Sequence, residues 1–217
     1  MQKKILLFSL LLLVTPVLFA HSINYSLEDA PSKDVVWFYL KLGFSHIIPA
    51  GADHILFVMG LCLLSTNVKT ILWQATAFTV AHSVTLALSM KSIVMIPGAV
   101  VEPVIALSIL FVAIENMLLS GLKPWRILLV FMFGLIHGMG FASALGQLGL
   151  PQNAYLTSLL MFNLGVELGQ ITVILAAWFL LAKWFADKPY YRKFIVIPLS
   201  VVISAIAAYW VVQRIFF

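Results

Sequence analysis

Charge is scarce in this chain. Only 10% of its 217 residues are Asp, Glu, Lys or Arg, against about 25% in an ordinary soluble domain, and that shortage excludes a water-solvated globule. Cysteine is almost absent. Cys62 stands alone in an apolar run, so neither an internal disulfide nor a thiolate metal cage can form. The methionines are scattered through apolar segments and read as packing, which leaves no soft-ligand cluster for cuprous ion. The net charge of +5 does not point to nucleic acid, because the basic residues flank apolar segments and form no patch. Internal repeats and low-complexity segments are also missing.

What the chain has instead is hydrocarbon. Apolar residues make up 63%, and runs of about 20 of them, enough to cross a bilayer, recur along nearly the whole length. Lys3 and Lys4, the apolar stretch from Ile5 to Val14 and the break at Thr15-Pro16 before Leu18-Phe19-Ala20 have the order of a secretory signal. Residues 1–20 therefore read as a signal peptide cut after Ala20. An uncleaved anchor is the alternative, since Leu18 is larger than the residue usual at that place. Residues 21–35 form a short polar segment on the far side of the membrane, and residues 36–217 a transmembrane domain. The spans are predicted at 36–65, 70–90, 95–119, 126–147, 154–182 and 194–216, the first interrupted at Pro49/Gly51. The expected fold is an all-α polytopic membrane protein, a bundle of six helices. Loop cations set its orientation. Lys69, Lys123, Arg126, Lys183, Lys188, Arg192 and Lys193 lie on one side, and Lys33, Lys41, Lys91 and Arg214 on the other. That bias puts the mature termini outside, in the periplasm of a bacterial inner membrane.

Within these spans stand Asp53, Glu102, Glu115 and Glu167, with His46, His54, His82 and His137. Each charged group at the centre of a bilayer costs about 2.5–3.5 kcal/mol on insertion scales, and together they would cost about as much as a whole domain's stability unless they satisfy one another. Each has a plain structural reading. Asp53 suits a helix N-terminus, Glu102 precedes Pro103 in the same way, and Glu115-Asn116 sits near a membrane surface. The set as a whole is harder to explain by packing. Asn163, Glu167 and Gln170 make a polar stripe at helical spacing, Thr79 and His82 share a face, and the small residues Gly134 and Gly138 bracket His137 in a seam suited to close helix packing. Imidazole and carboxylate together are ligands for nickel, cobalt, zinc or oxidised copper. The expected site is therefore a divalent transition-metal site built from His46, Asp53, His54, His82, Glu102, His137 and Glu167. His21 would be an outer capture residue at the new N-terminus, and Glu115 an inner relay. The expected partners are the metal ion and the lipid bilayer, with a homo-oligomer left open.

The segments HIIPAGADHILF (46–57), FTVAHSVTL (78–86), GLIHGMGFASAL (134–145) and FNLGVELGQ (162–170) resemble the HupE/UreJ family of hydrogenase and urease accessory membrane proteins, over essentially the whole mature chain. The resemblance implies a six-helix inner-membrane protein with a cleaved signal, often read as a nickel or cobalt permease. It maps the family's first motif onto His46, Asp53 and His54 and its second onto His82. Pro49 follows His46 by three residues with one extra residue before Asp53, Thr79 stands where better-studied relatives carry histidine, and no carboxylate follows His82 closely. The chain thus resembles a second, less characterised branch. A permease is one expectation. The other is an intramembrane metal-dependent hydrolase, in which Ser45 and Ser83, each beside a histidine, would assist a metal-bound water.

Overall fold

The computed structural model describes residue 27 and residues 30–148 and 150–217. The proposed signal segment 1–20, His21 and much of the segment 21–35 lie outside the described residues. The described chain is helical, with no strand among the described residues. Helix α1 (Ser32–Ile47) ends at a break, and α2 (Ala52–Leu64) restarts beyond it. There follow α3 (Val68–Met90), α4 (Gly98–Leu118) and α5 (Arg126–Leu148). Helix α6 (Tyr155–Phe185) passes through a π-helical segment at Trp178–Ala182, and α7 (Arg192–Phe216) opens with another at Arg192–Val196.

Local chemistry starts and stops these helices. The Asn67 side chain accepts the Thr70 N–H and opens α3, a standard use of asparagine at an N-cap. Pro97 precedes α4, where its fixed φ is pre-organised and its missing N–H costs nothing. At the other end of α4, Arg192 donates to the Met117 and Leu119 carbonyls, satisfying groups that the end of a helix leaves free. The interruption expected at Pro49/Gly51 is present, with α1 and α2 bent 67° from each other. Helices α3 to α7 are each long and apolar enough to cross a membrane, and the bent pair makes a sixth span if counted as one.

The helices pack as α3 against α5, α1 against α6 and α4 against α7, with α2 lying between α4 and α6. Two of these seams depend on glycine. A Cβ on Gly43 of α1 would stand 1.9 Å from the Phe162 carbonyl of α6, and one on Gly138 of α5 would stand 2.2 Å from the His82 carbonyl of α3. The second contact brings α5 backbone to backbone with α3 at the level of His82 and His137. Large apolar side chains such as Leu128, Leu160, Leu180 and Phe194 clad the outside, a surface suited to lipid and not to water.

Candidate metal centre

The break between α1 and α2 builds the site. It puts His46 in the last turn of one helix and Asp53-His54 in the first turn of the next, so two imidazoles eight residues apart meet with ring centroids 4.7 Å apart. His82 of α3 lies 6.2 Å from the first ring and 6.1 Å from the second. One ligand atom from each of His46, His54 and His82 falls within 4.8 Å of the others. His137 of α5, seated by the glycine seam, brings its ring to 5.2 Å from that of His54.

The hydrogen bonds around these rings decide which nitrogen is free. His54 Nδ1 is 3.2 Å from Asp53 Oδ1, and His137 Nδ1 is 2.9 Å from the Phe133 carbonyl. Both partners can only accept, so each Nδ1 carries the proton. His82 Nδ1 is 3.3 Å from Asn163 Oδ1, and the Asn163 amide N–H₂ donates to the Leu159 carbonyl at 2.8 Å, which turns its oxygen to the ring. In a neutral imidazole the other nitrogen then holds a lone pair. The Nε2 atoms of His46, His54, His82 and His137 are all buried without a hydrogen-bond partner. A buried acceptor left bare is costly. Together they form a candidate ligand set, with His46, His54 and His82 close enough to share one ion.

That set fits a divalent transition metal. Histidine that ligates through one nitrogen and donates the other N–H to a carboxylate, carbonyl or amide is the usual arrangement around such ions. An ion with tetrahedral nitrogens at about 2 Å holds them about 3.4 Å apart, so the triangle of His46, His54 and His82 needs only to tighten. Phe57, Phe78, Phe141 and Phe162 wall the rings, Phe141 at 4.0 Å from His46 and Phe78 at 4.9 Å from His137. His82 and His137 are 0% and 1% exposed, so an ion here would exchange water for protein.

The structure separates the remaining candidates. Asp53 stands behind His54, one oxygen on its ring and the other 3.6 Å from Arg214 Nη2. Glu102, grouped with the histidines in the sequence, is not brought to them. Its side chain is exposed. Glu167 accepts from Thr76 Oγ1 at 2.6 Å, on the α3–α6 seam below His82. Glu115 lies near the C-terminal end of α4, far from the histidines, paired with Arg126 at 2.6 Å. Arg126 also donates to Gln74, Asn116 and the Gly60 carbonyl and is 1% exposed. In sequence it stands as a loop cation. Arg214 stands as one too, and in the fold its Nη2 instead lies 3.6 Å from Asp53 Oδ2. The signal that could have found Arg126 was the trio Gln74, Glu115 and Asn116, a carboxylate and two amide oxygens at one membrane level with no cation among them.

Between the two ends runs a ladder of polar side chains. Thr79 and Thr76 lie one and two turns before His82 on α3, and they donate to Gln170 at 3.1 Å and Glu167 at 2.6 Å on α6. Gln74 follows and meets Arg126. Beyond it, at the end of the bundle, lies a cavity of about 330 Å³ lined by Thr70, Trp73, Gln74, Lys123 and Arg126.

A family model described as HupE / UreJ protein matches residues 9–214. No curated protein and no solved structure is similar enough to match the chain.

Proposed function

The chain belongs to the HupE/UreJ family, and from that premise we propose that it is a permease carrying a divalent transition metal of the nickel, cobalt or zinc kind across a bacterial inner membrane. The observation that carries this reading is the buried histidine group, with Nε2 bare on His46, His54, His82 and His137 and Nδ1 occupied on the last three. A divalent metal would satisfy several such atoms at once. His46, His54 and His82 take the cation, His137 completes or hands on its coordination, and Asp53 raises the basicity of His54 from behind. Protons compete with the ion for the same nitrogens, so binding weakens as pH falls.

The polar ladder favours transport over hydrolysis. A hydrolase needs an open pocket for substrate and water, whereas a permease needs acceptors and donors that continue past the binding site. Thr79, Thr76, Gln170 and Glu167 continue that way, toward the Gln74–Arg126 end. Ser45 and Ser83, the hydroxyls that would assist hydrolysis, donate to the Leu42 and Thr79 carbonyls of their own helices. Lys69, Lys123, Lys183, Lys188 and Lys193 cluster at the Arg126 end, which faces the cytoplasm by the charge rule, so the histidine centre faces outward.

The test is uptake into sealed proteoliposomes, with nickel, cobalt, zinc and copper offered in turn to wild-type protein and to His54→Ala. Uptake of one cation that vanishes in the variant is the expected result. Metal bound by the wild-type protein without uptake would overturn the permease and favour a closed site.

A further inference from the structure

We infer that Arg214 is a standing countercharge that keeps the histidine centre from holding its cation too tightly, and so sets how fast the ion is released. The inference takes from the permease reading only that the centre binds a divalent metal. Arg214 lies in the last turns of α7 and is held from three sides. Its guanidinium sits over the Trp210 ring at 5.4 Å, Nη1 donates to the Glu102 carbonyl of α4 at 3.0 Å, and Nη2 lies 3.6 Å from Asp53 Oδ2. The other oxygen of Asp53 accepts from the His54 ring and from the His54 backbone N–H. A continuous line therefore runs from Arg214 through the carboxylate to a nitrogen that faces the ion.

Each end of that line has a known effect. A carboxylate behind a ligating histidine makes the ring a better donor and tightens metal binding. A guanidinium on the carboxylate's far oxygen draws that charge away, and its own positive charge repels a dication across low-dielectric surroundings. The Arg214 and Asp53 side chains are only 22% and 23% exposed, so salt screens them incompletely. A transport site must bind well enough to load and loosely enough to unload. Three imidazoles backed by an unopposed carboxylate would favour loading alone. Arg214 restores the balance from the outer rim, without touching the ion.

The experiment measures metal affinity and release on the purified full chain by equilibrium dialysis and stopped-flow chelator competition, with nickel, cobalt and zinc used separately. Arg214→Gln removes the charge and keeps an amide donor. Arg214→Met removes the charge and keeps a stem to pack on Trp210, so a folding defect in one variant leaves the other to decide. Both neutral variants should bind about tenfold more tightly, the scale of outer-shell effects on metal sites, and release proportionately more slowly. Arg214→Lys should stay close to wild type. Neutral variants that bind equally or more weakly, or a lysine variant that behaves like them, would overturn the countercharge while leaving the permease reading intact. A wild-type protein that binds none of the three metals would sink both.

Discussion

Two groups of buried polar side chains lie toward opposite ends of this bundle, and they differ in how far their hydrogen bonds are completed. At the Arg126 end a cation meets an anion, and each guanidinium nitrogen has a partner on Gln74, Glu115, Asn116 or Gly60. Asn116 in turn donates to the Gly60 carbonyl at 2.8 Å, so α2, α3, α4 and α5 are joined at one point. At the histidine end each tautomer-setting bond is made on Nδ1 and the facing Nε2 is left bare. A network of matched charges and donors is a joint. A cluster that leaves its ring nitrogens bare, with His46, His54 and His82 bringing a ligand atom within 4.8 Å of one another, could hold a metal ion.

The comparison breaks if the two ends respond alike to mutation. The largest effect is expected at the joint. Arg126→Leu strands the Glu115 carboxylate in the bundle and should cost about 3–5 kcal/mol of stability, the usual penalty for removing one partner of a buried pair, read from denaturant unfolding in detergent. The paired Arg126→Leu/Glu115→Leu chain should recover most of that loss. Asn163→Leu tests the other end. It removes the acceptor that holds His82 Nδ1 and frees that ring to present the wrong nitrogen. Metal affinity should fall about 10–100-fold with the melting temperature little changed, and a large fall in stability with unaltered affinity would mean that His82 is part of a joint too. The smallest effect is expected along the ladder. Glu167→Gln keeps an acceptor for Thr76 and loses the charge, so binding should hold while uptake slows about tenfold, roughly 1.4 kcal/mol on the transfer barrier. Equal losses of binding and uptake would instead place Glu167 at the histidine centre.

Much of the fold was legible because the bilayer enforces a simple rule. Backbone groups without water must be satisfied within the segment, so long apolar runs become helices, and Pro49 with Gly51 marks the place where one of them stops. The site was legible as a cost. His46, His54, His82 and His137 are too expensive in apolar spans to be idle, and the spacing around the break already put three titratable groups within nine residues. The roles were less legible. Asp53 reads as a ligand in sequence and in space pairs with the His54 ring and Arg214. Glu102 reads as a member of the set and turns outward. Arg126 and Arg214 read as loop cations, and both turn back into the bundle to meet a carboxylate.

The sequence by itself determined that this chain is a polytopic helical membrane protein, where its first span breaks and which side chains are chemically out of place in lipid. Composition and the 20-residue length of a span are properties of the chain taken in order, and they need no partner to be read. Only the tertiary structure decided which of those side chains meet, which nitrogen of each ring is free and which charges cancel. Those depend on how each helix is rotated about its axis and on the neighbour packed against it. Gly138 against His82 and Gly43 against Phe162 are contacts between residues more than fifty positions apart, and no local pattern specifies them.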